Sequence, residues 1–123
     1  MDYHGHSWKK NSFIYACNQK GNDFENWRKN ALINVFPLLL GRINPVFAFK
    51  DCRFNIEKCK ESTARVVCFW EFNILNSFTI ETTFFGPESP ESLIRKSDSD
   101  IHMEISDFYW LGRDSVWALH GFL

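Results

Sequence analysis

The chain has 123 residues, enough for one modest domain, and its 45% hydrophobic and 17% aromatic content favours a packed core over a disordered tail. Its formal net charge of −1, from 14 Lys and Arg against 15 Asp and Glu, excludes the global positive field of a protein that holds nucleic acid or an anionic membrane. Thirteen Phe and five Trp are more apolar bulk than a domain of this size usually buries, which indicates packing against further polypeptide.

The first ten residues are polar where a secretory signal needs an apolar stretch. The longest apolar run, residues 35–40, contains Pro37 and is far too short to span a bilayer. A cytosolic location is therefore expected. No Cys-x-x-Cys spacing occurs, so we interpret all four cysteines as reduced, packed thiols rather than a disulfide frame. They are Cys17, Cys52, Cys59 and Cys68.

The first predicted elements are a strand and a helix. Alternation of aromatic and β-branched residues predicts a strand at 12–17, which ends in turn residues. Asp23 can cap a following helix at 24–36. One face of that helix is predicted to contain Phe24, Trp27, Ala31 and Val35. The residues predicted to break it are Gly41, Asn44 and Pro45.

The middle of the chain predicts a helix followed by a strand. Two short apolar segments, 46–49 and 52–56, are compatible with strands. Capping residues at 61–63 precede a helix predicted at 64–72. A strand is predicted at 76–84. In this strand, alternation places Ser77, Thr79 and Glu81 on one face, and the other face contains Phe78, Ile80 and Thr82.

The C-terminal part predicts a loop and a closing helix. Residues 87–100 contain two Pro and four Ser with mixed charge and no period, which is typical of a surface loop. An amphipathic helix is predicted at 104–121, with Ser106 or Asp107 near its start. The residues that recur at helical spacing on its predicted apolar face are Ile105, Phe108, Leu111, Ser115, Val116 and Leu119. Strands alternating with helices predict an α/β fold, a sheet covered by helices.

Four residues are candidates for chemistry. His4 and His6 can lie on the same side of an extended backbone, where imidazoles can bind zinc, but such a pair near a terminus is equally explained as solvated. Glu81 lies among apolar residues, so it is paired, functional or at a water-exposed edge. Arg65 opens a helix and is open to interpretation as a surface charge. No histidine has a glutamate three positions later, so the chain contains no His-x-x-Glu.

Several short blocks of the chain carry a resemblance to a known family. Residues 2–7 are Asp-Tyr-His-Gly-His-Ser. They are similar to the Asp-x-His-Gly-His-Ser segment of the cytosolic carboxypeptidases, which are zinc enzymes of the type that trims glutamates from tubulin tails. Further similar blocks follow in the same order, namely Phe-Ile-Tyr at 13–15, Val-Phe-Pro-Leu at 35–38, Lys-Glu-Ser-Thr-Ala-Arg-Val-Val at 60–67, and 76–84 with Gly86. The match weakens from Pro87 onward. The resemblance implies that 1–123 is the C-terminal half of a catalytic domain, part of an α/β/α sandwich with a mixed sheet.

The resemblance also implies roles for three residues. His4 corresponds to the zinc ligand that comes last in the family's sequence, and Glu81 to the general base of its Thr-x-Glu strand. Arg65 corresponds to a basic residue of the side-chain pocket, where a guanidinium selects a glutamate carboxylate by a bidentate contact. The family's other two zinc ligands form an upstream His-x-x-Glu motif, so the chain alone is expected to be inactive.

The implied partners are glutamylated tubulin or other acidic protein tails, without nucleic acid or membrane, and the implied location is cytoplasmic, including microtubules. Departures from the family pattern bear on this expectation. Trp8 and Trp70 replace basic residues, and Phe78 replaces a tyrosine. Losing two positive charges would weaken polyglutamate binding only if both lie at the pocket. Two alternatives stay open: a fragment that binds tubulin or another partner without catalysis, and a small zinc protein that uses His4 together with His6.

Overall fold

A mixed three-stranded sheet forms the centre of an α/β fold, which a computed structural model describes over residues 1–88 and 102–123. Its strands are β1 (Asp2–His6), β2 (Ser12–Tyr15) and β3 (Thr79–Thr83). The order is β1-β3-β2, with β3 parallel to β1 and antiparallel to β2. The central strand is therefore the last of the three in sequence, and it joins the chain's first residues to a segment far from them.

The strands predicted at 12–17 and 76–84 are confirmed by β2 and β3. Alternation does not predict β1, because its Asp-Tyr-His-Gly-His sequence is poor in strand-forming residues. Packing explains the glycine at position 5: the Phe84 ring lies so close to the Gly5 backbone that an added Cβ would collide with the ring. Tertiary pairing with β3 thus makes a strand of a segment with weak intrinsic preference.

The first helix, α1 (Phe24–Ile43), is longer than predicted and buries a different face. Asp23 caps it as predicted, its Oδ1 accepting from the Asn26 backbone N–H at 3.0 Å. The helix then continues through buried Pro37, although proline removes one helical hydrogen bond, and it ends before Asn44. The predicted face is wrong, since Phe24 is 75% and Trp27 64% exposed. The buried residues are Ile33, Phe36, Pro37 and Leu40.

The helix predicted at 64–72 is confirmed by α2 (Ala64–Glu71). The remaining helix, α3 (Ile105–Phe122), occupies the stretch where apolar spacing predicts a closing helix, and it packs against α1. Glu104 caps it together with Asp107 in a capping box, so the cap lies earlier than Ser106. Of the six residues predicted to define its apolar face, Leu111 and Ser115 are buried, whereas Ile105 and Val116 are largely exposed.

The segments 46–49 and 52–56 form no regular strands. They contribute isolated bridges, from Phe47 to Ser12 and from Arg53 to Tyr15, beside short 3-10 helices at Phe49–Asp51 and Lys58–Lys60. Of the surface loop predicted at 87–100, residues 89–100 lie outside the described residues, and Pro87 is buried.

One hydrophobic cluster joins the sheet to the helices, and Phe13, Phe36, Val66 and Ile80 are among its buried members. All four cysteines are free, as expected. Cys17 and Cys52 are buried, whereas Cys59 is exposed and Cys68 half-buried, so the packed-thiol interpretation holds for two of the four. Within residues 1–88 and 102–123, no helix is long and apolar enough to cross a bilayer.

Candidate active site

The parallel pairing of β1 with β3 sets His4 directly beside Glu81. The two residues are register partners on neighbouring strands, and Phe13 of β2 is the partner of Glu81 on its other side. Side chains of register partners emerge from the same face of a sheet. The imidazole and the carboxylate, which are 77 positions apart in sequence (81 minus 4), therefore lie side by side on one face.

This face borders a cavity of about 500 Å³. All three sequence-predicted site residues line it: His4 from β1, Glu81 from β3, and Arg65 from the first turn of α2. Asp2, Tyr15 and Lys60 are also in its wall. The cavity thus combines carboxylates, cations, an imidazole and a phenol, a mixture that suits a polar ligand.

Arg65 is a buried cation with part of its hydrogen-bonding capacity unused. The residue is 6% exposed, so its alternative interpretation as a surface charge is wrong. Its Nη1 donates to the Ala16 carbonyl at 2.6 Å and contacts the Cys17 sulfur at 3.1 Å. Its Nε is buried without a hydrogen-bond partner. An unpaired buried donor is unfavourable, so this nitrogen is an unsatisfied group beside the cavity.

Glu81 is half-buried in the central strand, so it is not at the water-exposed edge that the sequence left open. Among the described residues its carboxylate makes no hydrogen bond or ion pair that would commit it to a structural role. Its negative charge is felt by Tyr15: burial raises the pKa of the phenol, and the Glu81 carboxylate raises that pKa further. A free carboxylate at a cavity can accept and return a proton.

Sequence reasoning missed Tyr15, Lys60 and Asp2 as wall residues. Tyr15 lies two positions after Phe13 on the same strand face. Lys60 opens the Lys-Glu-Ser-Thr block. The sequence showed both motifs but not that these side chains line the cavity. The Tyr15 ring also packs against the Arg65 guanidinium, with 5.9 Å from Cζ to the ring centre. The Tyr15 ring and the Arg65 guanidinium therefore lie together in one part of the cavity wall.

The two histidines of β1 have different surroundings. The His4 side chain is 57% exposed, and its Nε2 lies 3.1 Å from Asp2 Oδ1. The Nδ1 of His6 instead accepts from the backbone N–H groups of Trp8 and Lys9, both at 3.1 Å. His6 therefore stabilises the turn after β1, and its acceptor nitrogen is occupied.

A metal ion fits this donor set only in part. His4 offers an accessible imidazole at the cavity, which suits one position of a zinc site. However, nowhere in 1–88 or 102–123 do three or more His, Cys, Asp or Glu side chains form a group that could hold a metal ion. The described residues therefore offer His4 as a candidate ligand but form no complete centre, which also weighs against a small zinc protein built on His4 and His6.

The three departures from the family pattern lie away from the cavity wall. Trp8 is 88% and Trp70 46% exposed, and neither lines the cavity, so the two lost charges are peripheral to it. Phe78 is buried and its ring stacks on Phe36, with 5.3 Å between ring centres. An apolar ring suits that position because a buried hydroxyl needs a partner.

Comparison with known proteins gives a consistent set of relatives. The chain is 44% identical to cytosolic carboxypeptidase 2 of Homo sapiens over 112 residues, which is 90% of this chain and 11% of the relative. It is 41% identical to cytosolic carboxypeptidase 2 of Mus musculus over the same length, covering 12% of that relative. It is 48% identical to cytosolic carboxypeptidase 3 of Bos taurus over 89 residues, which is 69% of this chain and 8% of that relative. The chain therefore spans about a tenth of the length of the curated relatives it matches. No protein-family model matches it.

Proposed function

Because the chain belongs to the cytosolic carboxypeptidases as one homologous segment, we propose that it forms the part of a zinc carboxypeptidase catalytic domain that carries the general base and one metal ligand. The proposed reaction is hydrolysis of a C-terminal or branch glutamate from a protein. The observation that carries the proposal is the register pairing of His4 with Glu81 beside a cavity that also contains Arg65. In this proposal the α/β fold is part of an α/β/α sandwich in the whole domain.

Glu81 acts as the general base. Its carboxylate accepts a proton from the attacking water and then gives it to the departing amine. Half-burial and the absence of a committed partner among the described residues both suit this role, because the group must change its protonation state twice in each turnover. Tyr15 stands near enough for the charge of Glu81 to raise its pKa, so it stays a neutral hydroxyl that can donate to substrate.

Arg65 selects the acidic side chain. With Nη1 held by Ala16, the guanidinium keeps its Nε edge for a ligand, and that edge can donate two parallel hydrogen bonds to a carboxylate. A carboxylate bound there would relieve the unpaired Nε and neutralise a buried charge. Lys60 in the same wall adds a second positive charge that favours a glutamate over an apolar residue.

We propose that His4 supplies one zinc ligand and that the other ligands come from parts of the relatives outside the homologous segment. When bound, zinc lowers the pKa of water and polarises the scissile carbonyl. Residues of this chain hold His4 at the cavity rim and place a carboxylate beside it. The isolated chain is expected to bind no stoichiometric zinc and to release no glutamate.

The proposed substrates are glutamylated tubulin and other acidic protein tails, encountered in the cytoplasm and on microtubules. A protein tail is compatible with the cavity because His4 and Lys60 lie at its exposed edge, where an extended peptide could enter. The relatives' names contain the word cytosolic, which supports the same compartment.

A second candidate function is partner binding without catalysis. It is favoured by the incomplete metal site among the described residues and by exposed aromatic side chains such as Trp8, which is 88% exposed. In that case this chain would bind tubulin or a full-length relative as a folded fragment.

A chimera distinguishes catalysis from partner binding without catalysis. The homologous segment of a cytosolic carboxypeptidase 2 is replaced by this chain, and zinc content and glutamate release from a glutamylated peptide are measured. We expect hydrolysis, with Glu81→Gln abolishing it while zinc stays bound, and Glu57→Gln, a change at an exposed carboxylate in the same wall, serving as the matched control. A chimera that is folded and zinc-loaded but inactive would support the binding function instead.

A further inference from the structure

The N-terminus of α2 has no capping side chain. Thr63 is the N-cap residue, but its side chain accepts no hydrogen bond from the helix, and its Oγ1 instead donates to the Lys60 carbonyl at 2.7 Å. The N–H groups of Ala64 and Arg65, the first two residues of the helix, donate to no described residue. Two backbone donors at the start of this eight-residue helix are therefore unpaired.

The cavity meets α2 at this end of the helix. Of the residues of α2, only Ala64 and Arg65 line the cavity, and Lys60 and Thr63 of the preceding turn line it with them. The Thr63 N–H and Oγ1 both donate to the Lys60 carbonyl, at 3.0 and 2.7 Å, so the turn holds Lys60 next to the start of the helix. An α-helix carries roughly half a positive charge at its N-terminus, where the free N–H groups point outward along the axis. A helix N-terminus and an ammonium group therefore bound the cavity on one side.

The Arg65 side chain also has unpaired donors. The residue is 6% exposed, and of its guanidinium nitrogens Nη1 alone donates, to Ala16 and Cys17. Its Nε is buried without a partner, and its Nη2 donates to no described residue. Long side chains on a helix point toward the helix N-terminus, so the guanidinium belongs to the same end of α2 as the free N–H groups. A buried cation with an unpaired edge is unfavourable until an anion binds it.

We infer that the N-terminus of α2 and the Arg65 guanidinium together form one carboxylate-binding site in the cavity, with Lys60 at its edge. The N–H groups of Ala64 and Arg65 and the Nε–Nη2 edge of Arg65 supply four donors, which matches the roughly four lone-pair sites of a carboxylate. Backbone N–H groups at a helix N-terminus commonly bind anions, and a guanidinium edge commonly binds a carboxylate by two parallel hydrogen bonds.

The charges of the cavity wall favour a carboxylate over a phosphate. Two cations, Lys60 and Arg65, share the wall with the carboxylates of Asp2, Glu57 and Glu81. Repulsion by these carboxylates is stronger for a doubly charged phosphate group than for a singly charged carboxylate group. The identification of the ligand as a substrate glutamate side chain rests on the proposed function, whereas binding of a free carboxylate compound by this chain does not.

The first test follows the backbone amides of the ¹⁵N-labelled 123-residue chain during a titration with glutarate. Because a hydrogen bond to an anion moves an amide proton downfield, we expect the amide protons of Ala64 and Arg65 to move downfield with one common Kd. Uncharged glutaramide should move neither, and inorganic phosphate should bind more weakly than glutarate. The amide of Asn26, which already donates to the cap residue of α1, is the internal control and should stay in place.

The second test places an acceptor on the helix. An asparagine at an N-cap accepts from N–H groups of the first turn. Thr63→Asn should therefore raise the midpoint of urea unfolding and weaken glutarate binding about tenfold, because its side chain competes with glutarate for the Arg65 N–H. Thr63→Ala offers no acceptor and should bind glutarate as tightly as the wild type.

The wild-type spectra decide the inference without any variant. Absence of glutarate binding, amide protons of Ala64 and Arg65 that stay in place while glutarate binds, or tighter binding of phosphate would each overturn it. A Thr63→Asn chain that is more stable but binds glutarate like the wild type would contradict it as well. If the chimera hydrolyses a glutamylated peptide while the two amides do not respond, the helix N-terminus has no such role and the proposed function stands. If the amides respond but the chimera is inactive, the proposed function fails and the carboxylate site stands.

Discussion

Replacing Arg65 by methionine separates a binding role from a structural one. The substitution keeps the length of the aliphatic stem and removes the guanidinium. The bond from Nη1 to the Ala16 carbonyl is charge-assisted and buried, so its loss should cost about 1.5–3 kcal/mol. Removing Nε, which is buried without a partner, should return about 1–3 kcal/mol. The two terms nearly cancel, and we expect the free energy of unfolding to change by about 1 kcal/mol or less.

Unlike the stability, ligand binding should change strongly in Arg65→Met. Glutarate carries the same carboxylate as a glutamate side chain, and two charge-assisted hydrogen bonds to Arg65 would be lost with the guanidinium. Even one such bond corresponds to at least about a tenfold change in Kd. Urea unfolding followed by circular dichroism gives the stability, and ¹H–¹⁵N spectra during a glutarate titration give the affinity. Uncharged glutaramide serves as the ligand control, and Arg53→Met, at an exposed arginine outside the cavity wall, as the protein control.

Two results would refute this reasoning. If Arg65→Met lost more than about 3 kcal/mol, the guanidinium would be chiefly a structural element that ties α2 to β2. If the variant bound glutarate as tightly as the wild type, the unpaired Nε would not be a carboxylate donor.

Three further predictions concern the fold. Phe36→Ala should lower the free energy of unfolding in urea by about 3–5 kcal/mol, since Phe36 is 1% exposed, whereas Trp27→Ala, at a position on the sequence-predicted face, should lower it by less than about 1 kcal/mol. Burial raises the pKa of Cys52 from its ordinary value near 9 to about 11, so the folded state keeps a proton that the unfolded state releases. The corresponding stability is complete below pH 9 and is lost as pH rises to 11, by roughly 3 kcal/mol. In Cys52→Ala the alkaline loss should be smaller by about that amount, and the rest should remain because the pKa values of Cys17 and Tyr15 are also raised by burial. Asp114→Ala should cost about 1–3 kcal/mol, because Asp114 Oδ2 accepts from Asn44 Nδ2 at 2.9 Å and the substitution leaves that buried amide without its acceptor.

Each of these has an opposite outcome that would count against the described packing. Equal losses for Phe36→Ala and Trp27→Ala would mean that α1 is rotated relative to the sheet. An alkaline stability curve shared by the wild type and Cys52→Ala would show that the thiol is not buried as described. If Asp114→Ala left the free energy of unfolding unchanged, water would have to replace the lost hydrogen bond at the contact between α3 and the end of α1.

Sequence periodicity predicted the α1 helix but not its orientation. Apolar residues occur on nearly every side of this segment, so spacing could not indicate which side is buried. The choice of Ile33, Phe36 and Leu40 is made by packing against α3 and within the hydrophobic cluster, which a single helix does not encode. Gly41 was predicted to help break the helix, but it lies inside α1, which ends at Ile43 before Asn44.

The sequence by itself indicated the family of this chain and named three candidate site residues, because His4, Arg65 and Glu81 lie in short local blocks that resemble that family's motifs. Only the tertiary structure decided that these residues share one cavity, that Arg65 is buried with a free donor, and that Asp2 faces His4. The physical reason is that a motif records residue types along the chain, whereas register, burial and hydrogen-bond partners depend on which distant segments pair. Here β3 pairs with β1 across more than half of the sequence, and that pairing builds the site.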